Sequence, residues 1–127
     1  MIVVDASAAL MALLNDGPAR RLLGAQLLHA PHLIDSEVTN GLRRMVAAGD
    51  IGAGPGWAAI DAWRRMGMIR HPVFGLLGRV WQLRNNLSAY DASYVALAEA
   101  LDCALLTGDR RLARAPGIGT AVTVVSR

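Results

Sequence analysis

The sequence predicts an α/β fold: one domain over residues 1–127, with a central parallel β-sheet of about five strands flanked by helices. Three observations carry this expectation. Short apolar runs such as Ile2-Val3-Val4 recur along the chain and suit strands buried on both faces. Stretches of helical period separate them, and no hairpin signal joins one run to the next. A chain of 127 residues is also long enough to bury one core without disulfide staples.

The elements follow in order. Ile2 to Val4 is the first strand, and Ser7 is placed to cap a helix running to about Leu14. Asn15-Asp16-Gly17-Pro18 ends that helix and starts the next, with proline in its first turn. Leu27-Leu28 is the second strand, and Pro31 leads into a helix from about Leu33 to Ala48. On that helix Ile34, Val38, Leu42, Met45 and Val46 form an apolar stripe, while Glu37, Asn40, Gly41 and Arg44 share another face. Asp50 to Gly56 reads as a loop, followed by a helix with Trp57, Ile60 and Trp63 that ends near Arg65. Trp57 and Trp63 lie six apart, too far round a helix for one narrow stripe, which leaves two readings open: service to both a core and a groove, or ordinary core packing. Met68-Ile69 is the third strand, and Pro72 opens a helix to about Leu87. Ser88 and Asp91 form a capping box for a helix ending at Leu101. Ala104 to Leu106 is the fourth strand, Asp109 caps a short helix, and Val122 to Val125 closes the sheet.

Composition narrows the chemistry. All thirteen basic side chains are arginine; the chain contains no lysine. That excludes a P-loop and every Schiff-base mechanism, and it argues against receiver and phosphohydrolase domains of similar strand order. Arginine is the better bidentate partner for phosphate, which favours a nucleic acid, although a G+C-rich genome also yields such a composition. The single cysteine, Cys103, excludes an internal disulfide and reads as a buried, inert thiol. His29, His32 and His71 are scattered, with no spacing that builds a zinc site. Asp5 sits where a signal peptide carries positive charge, and no apolar run approaches about 18 residues. A cytoplasmic protein with no membrane segment is expected.

Asp5, Glu37, Asp91 and Asp109 each stand where a strand-like run ends or a helix begins, which in a parallel sheet is one edge. Two carboxylates about 5 Å apart repel by ~3 kcal/mol at an effective dielectric of roughly 20. Four together stay ionised only around a cation, or some take up protons. Oxygen ligands for a divalent metal on a basic protein point to phosphodiester chemistry. Taken singly, each acid also has a structural explanation as a helix cap or a helix-dipole partner. Asp16, Asp50, Asp61 and Asp102 fall in turns or on polar helix faces, and Glu99 reads as a solvated helix residue.

The run Asp5-Ala6-Ser7, then Glu37 with Asn40 and Leu42-Arg43-Arg44, then Leu87 to Ala98, then Leu106-Thr107-Gly108-Asp109, closely resembles PIN-domain ribonucleases. The chain's size is most similar to the VapC toxins of bacterial type II toxin–antitoxin pairs. The resemblance implies a PIN-like fold and a metal-dependent endoribonuclease using Mg²⁺ or Mn²⁺. Asp5 and Asp91 would be the direct ligands, with Glu37 and Asp109 completing the pocket directly or through water. Ser7, Asn40 and Thr107 would support them, Ser7 and Thr107 by orienting those carboxylates or the attacking water. In-line attack by that water would leave a 5′-phosphate and a 3′-hydroxyl. Arg44, Arg110 and Arg111 are the candidates for RNA phosphate contacts. A VapB-like antitoxin would dock on the helix pair around residues 33–48 and 57–65, and homodimers are usual in the family. Two other readings remain open: a PIN nuclease in RNA processing without an antitoxin, and a non-catalytic RNA-binding module.

Overall fold

A computed structural model describes all of residues 1–127. Five strands, β1 (Ile2–Val4), β2 (Leu28–Pro31), β3 (Ile69–His71), β4 (Ala104–Thr107) and β5 (Val122–Val124), form one sheet in the order β3-β2-β1-β4-β5. All neighbours pair in parallel, with Val3 opposite His29 on one side and Leu105 on the other. Seven helices cover it: α1 (Ala6–Leu14), α2 (Pro18–Ala25), α3 (Ile34–Ala47), α4 (Ala53–Arg65), α5 (Leu77–Gln82), α6 (Ala89–Leu101) and α7 (Arg110–Arg114). None is long and apolar enough to cross a membrane.

The core forms where the apolar runs meet. Val3, Val4, Leu105 and Leu106 of the two inner strands are buried, as are Val38 and Leu42 of α3 and Val95 and Ala98 of α6. Because β1 lies between β2 and β4, the strand order turns at the β1–β4 pair. The ends of those strands open a crevice where ligands of open parallel sheets bind.

Several boundaries differ from the sequence expectation. Asp5, rather than Ser7, caps α1, accepting the Ala8 N–H at 3.0 Å. The second strand takes in His29, Ala30 and Pro31; proline fits there because β1 pairs with β2 only at Leu28 and His29, short of Pro31. Helix α4 begins at Ala53, inside the expected loop, since Pro55 in its first turn needs no N–H partner. Gly56 there lies so near α3 that an added Cβ would stand 2.9 Å from Val46 Cγ2. The helix expected from Pro72 to Leu87 is instead a 3₁₀ turn at Phe74–Leu76 and the short α5, with Gly75 and Gly78 weakening the helical run. Trp63 is 4% exposed and Trp57 58%, so the first belongs to the core and the second to a groove.

Three side-chain clusters were not foreseen, around Asp35, Glu99 and His29. Asp35, in the first turn of α3, accepts Trp63 Nε1–H at 2.7 Å and the Arg70 fork at 2.7 and 2.9 Å, tying α3 to α4 and β3. Glu99 is not simply solvated: it accepts two bonds from Arg79, at 2.7 and 2.9 Å, and the Gly119 N–H at 2.6 Å. Cys103 is half-buried rather than buried, and its partial burial pushes the thiol pKa up.

The histidines are not all scattered, for β2–β3 pairing sets His29 Nδ1 2.8 Å from His71 Nε2. His29 is buried and its Nε2 has no partner. With the shared proton on His29 Nδ1, that Nε2 is a lone pair; a second proton would place a cation in the core. Burial first, then His71 and the N-terminal ammonium, push the His29 pKa below its ordinary value. The folded state therefore binds this proton less readily than the unfolded chain. The stability so gained is complete above the unfolded pKa of about 6.5 and is lost as pH falls below it towards the folded value. We expect the melting temperature of His29→Leu to depend less on pH between about 7.5 and 5 than that of wild type, by thermal denaturation. Identical pH slopes for the two would contradict this.

Candidate active site

The crevice beyond β1 and β4 is built around Asp5. Its carboxylate is 6% exposed and sits at the turn from β1 into α1. Oδ1 accepts the Ser7 hydroxyl at 2.6 Å along with the Ala8 N–H, and Oδ2 accepts the hydroxyl of the fully buried Thr107 at the end of β4. Thr107 Oγ1 also accepts the Asp109 N–H at 3.0 Å, and Ser7 Oγ accepts the Gly108 N–H at 2.8 Å. A Cβ at Gly108 would stand 2.9 Å from Met11 Cε and 3.3 Å from Ser7 Oγ, so a side chain there would press on the hydroxyl that holds Asp5.

Helices α3 and α6 bring the next two acids. The first turn of α3 carries Glu37, which accepts the Tyr94 hydroxyl at 2.6 Å. The first turn of α6 carries Asp91, whose N–H bonds Ser88 Oγ at 3.1 Å in the expected cap. Asp109 caps α7 through the Arg111 N–H at 2.9 Å and pairs with the Arg111 guanidinium at 3.2 Å. Asp5, Glu37, Asp91 and Asp109 thus line a single cavity of about 150 Å³ with Ser7 and Tyr94.

Burial raises the pKa of Asp5 against the pull of its three donors, with Asp91 adding to the rise. Glu37 is raised by burial and by Asp91 and Asp5, against its bond from Tyr94. Asp91 is raised by burial and by Asp109, opposed by Arg111 and Ser88. Asp109 alone is lowered, by its bond from Arg111. Burial and Glu37 push the Tyr94 hydroxyl above the usual tyrosine range, so it remains a neutral donor.

No three carboxylate, imidazole or thiol groups stand in a ready-made metal cage. Hydroxyls hold Asp5 and Glu37, and Arg111 holds Asp109. The donors are hard oxygens throughout, with no thiol or imidazole in the cavity. That set suits a cation such as Mg²⁺, which keeps several waters and takes one or two carboxylates.

The remaining candidates are placed less centrally. Asn40 lines a wider groove beside the acidic cavity, and its Oδ1 accepts Arg43 Nε at 3.0 Å. Arg44 and Arg110 are exposed and line neither cavity. Arg44 is two helical turns, about 10 Å, beyond Glu37. Gly41 lies between them and faces α1, where a Cβ would meet Leu10 Cδ1. Arg111 lines a second cleft with Asn86, Ser88, Asp91 and Asp109. Tyr94 was missed as a site residue; its position three after Asp91, on the same helical face, was the available signal.

A family model described as PIN domain matches residues 2–118. Ribonuclease VapC9 of Mycobacterium tuberculosis (strain ATCC 25618 / H37Rv) is 58% identical over 127 residues, which cover 100% of both chains. Among solved structures, M. tuberculosis VapC20, described as a Sarcin-Ricin loop cleaving toxin, superposes with a TM-score of 0.67 at 19% identity, over 90% of this chain and 94% of that one. VapBC2 from Rickettsia felis, bound to a DNA fragment from its promoter, gives 0.70 at 13% identity over 99% and 100%. At these identities the two structures share the fold. The chain belongs to the PIN-domain family, among its VapC ribonucleases.

Raised carboxylate pKa values mean that Asp5, Glu37 and Asp91 favour folding below their unfolded pKa and cost stability as pH rises through the folded values. At neutral pH in EDTA, Asp91→Asn is therefore expected to melt a few degrees above wild type. Mn²⁺ should raise the melting temperature of wild type and leave that of the variant unchanged. A variant that melts no higher, or that gains as much from Mn²⁺, would refute the role of Asp91.

Proposed function

We propose that the chain is a divalent-metal-dependent endoribonuclease, the toxin of a VapBC-type pair, that hydrolyses RNA phosphodiester bonds to a 5′-phosphate and a 3′-hydroxyl. The observation that carries this is the convergence of Asp5, Glu37, Asp91 and Asp109 on one cavity of hard oxygen donors. PIN-domain VapC ribonucleases depend on divalent metals in general. Here Mg²⁺ or Mn²⁺ would be held by Asp5 and Asp91, with Glu37 and Asp109 completing the set directly or through water. When bound, such an ion offsets charge building on the scissile phosphate and lowers the pKa of a coordinated water.

The chain's own residues have separable roles in this reading. Ser7 and Thr107 fix both oxygens of Asp5, and Tyr94 fixes Glu37. Glu37, with its raised pKa, is suited to take a proton from the attacking water. Arg111, at the rim, can leave Asp109 for a phosphate oxygen, with Arg110 and Arg44 outside it on the path of the backbone. An RNA substrate puts the activity in the cytoplasm.

The partner is a VapB-like antitoxin. Support comes from the groove of about 480 Å³ between α3 and α4, lined by Leu42, Val46, Trp57 and Ile60, which suits an amphipathic helix. The exposed Phe74, Leu77 and Trp81, at one-turn and two-turn spacing, are the face we assign to a second copy in a homodimer.

Purified, antitoxin-free protein should cut total bacterial RNA into discrete fragments with Mg²⁺ or Mn²⁺ and not with EDTA. Asp91→Asn should reduce the rate by at least about 100-fold. Fragments that survive EDTA, or that end in a 2′,3′-cyclic phosphate, would contradict the mechanism. Metal-independent RNA binding by a folded protein that never cuts would favour the binding-module reading.

A further inference from the structure

Beside the acidic cavity runs a wider groove of about 790 Å³ between α3 and the start of α6. Ser36, Glu37, Thr39, Asn40 and Arg43 line one wall and Tyr90 the other. Glu37 lines both spaces, so the groove is continuous with the acids. Neither Tyr90 nor Arg43 has a part in the chemistry described above.

Tyr90 immediately precedes Asp91, yet it is 65% exposed and lies outside the core. Leaving an aromatic ring in water at the edge of a site is unfavourable unless something covers it. Across the groove, Arg43 is held by Asn40 through Nε, which leaves both terminal nitrogens for another acceptor. It forms no ion pair, whereas Asp35 in the same groove is neutralised by Arg70. The groove therefore combines an uncovered aromatic ring, an unpaired guanidinium fork, and the Ser36 hydroxyl and Asn40 amide as polar groups. A flat ring for a base, a fork for a phosphate and polar groups for a base edge are what a single-stranded nucleic acid needs.

We propose that this groove is a single-stranded RNA subsite, in which Tyr90 stacks on a base and Arg43 holds a backbone phosphate next to the one being cut. Ser36 and Asn40 then meet the edge of that base and are the first places to look for sequence preference. The inference rests on the ribonuclease reading and adds to it the groove and the residues that hold the strand beside the scissile phosphate.

The test uses the full chain and a short fluorescein-labelled single-stranded RNA of mixed sequence, bound at low salt in EDTA, alongside cleavage of total RNA with Mn²⁺. Tyr90→Ala should raise Kd roughly ten-fold, the loss of one stacking contact, and raise KM similarly while kcat stays near wild type. Tyr90→Phe, which keeps the ring, should recover most of that affinity. Arg43→Ala should weaken binding and reduce the slope of log affinity against log salt by about one. Leu27→Ala removes another exposed apolar side chain, one that lines neither cavity and belongs to neither partner surface, and should change nothing.

The proposal is overturned if wild type fails to bind, if Tyr90→Ala binds within about two-fold of wild type, or if Leu27→Ala copies the loss. Unchanged RNA affinity with lost binding of a VapB-like antitoxin would assign the groove to protein instead. Wild type that binds RNA through Tyr90 but does not cut it would sink the nuclease reading and leave this one standing.

Discussion

The buried carboxylate of Asp5 is the point on which the site is built. Three donors, from Ser7, Ala8 and Thr107, fasten the exit of β1 to the start of α1 and the end of β4. A hydrogen bond to a charged group contributes about 1.5–3 kcal/mol, whereas a buried carboxylate without such bonds is far costlier. Desolvation still wins here, since the Asp5 pKa stays above its ordinary value. The fold thus holds in place a group that would be more comfortable in water, a pattern that marks sites kept for chemistry at the expense of stability.

Topology explains why the other acids arrive at the same place. With β1 central and the order turning between β1 and β4, the first helical turns after β1, β2 and β4 gather round one crevice. Helix α6 then crosses β1, β2 and β4 and brings its own first turn, with Asp91, to that edge. The acids also serve their helices. Asp5 caps α1 and Asp109 caps α7, so their structural and chemical roles coexist. Repulsion among the carboxylates is moderated by local partners: hydroxyls on Asp5 and Glu37, and a guanidinium on Asp109.

The parts legible in the sequence were those with a local signature. The runs at 2–4 and 104–106 declared themselves by uninterrupted apolar residues, and the four acids by their place at strand ends and helix starts. The second strand was misjudged because His29 and Pro31 break its apolar character, although both are buried in the fold. The start of α4 was hidden by Gly54-Pro55-Gly56, which resembles a loop until Val46 is seen pressing against Gly56. What escaped altogether depends on partners far apart in the chain. Tyr94 meets Glu37 across 57 positions, Arg70 meets Asp35 across 35, and His71 meets His29 across 42. Arg44 was named for its share in the Glu37 face and Arg43 was not weighed; α1 packs against that face at Gly41, and Arg43 lies beside the groove.

If the Asp5 lock organises the site, loosening it without touching any acid should weaken the hold on metal. Thr107→Val removes the donor to Asp5 and the acceptor of the Asp109 N–H while keeping the side chain's shape. Calorimetric titration of the folded variant with Mn²⁺ is predicted to give a Kd about 10–100-fold above that of wild type, with an unchanged circular dichroism spectrum. An unaltered Kd in a variant so folded would contradict the account.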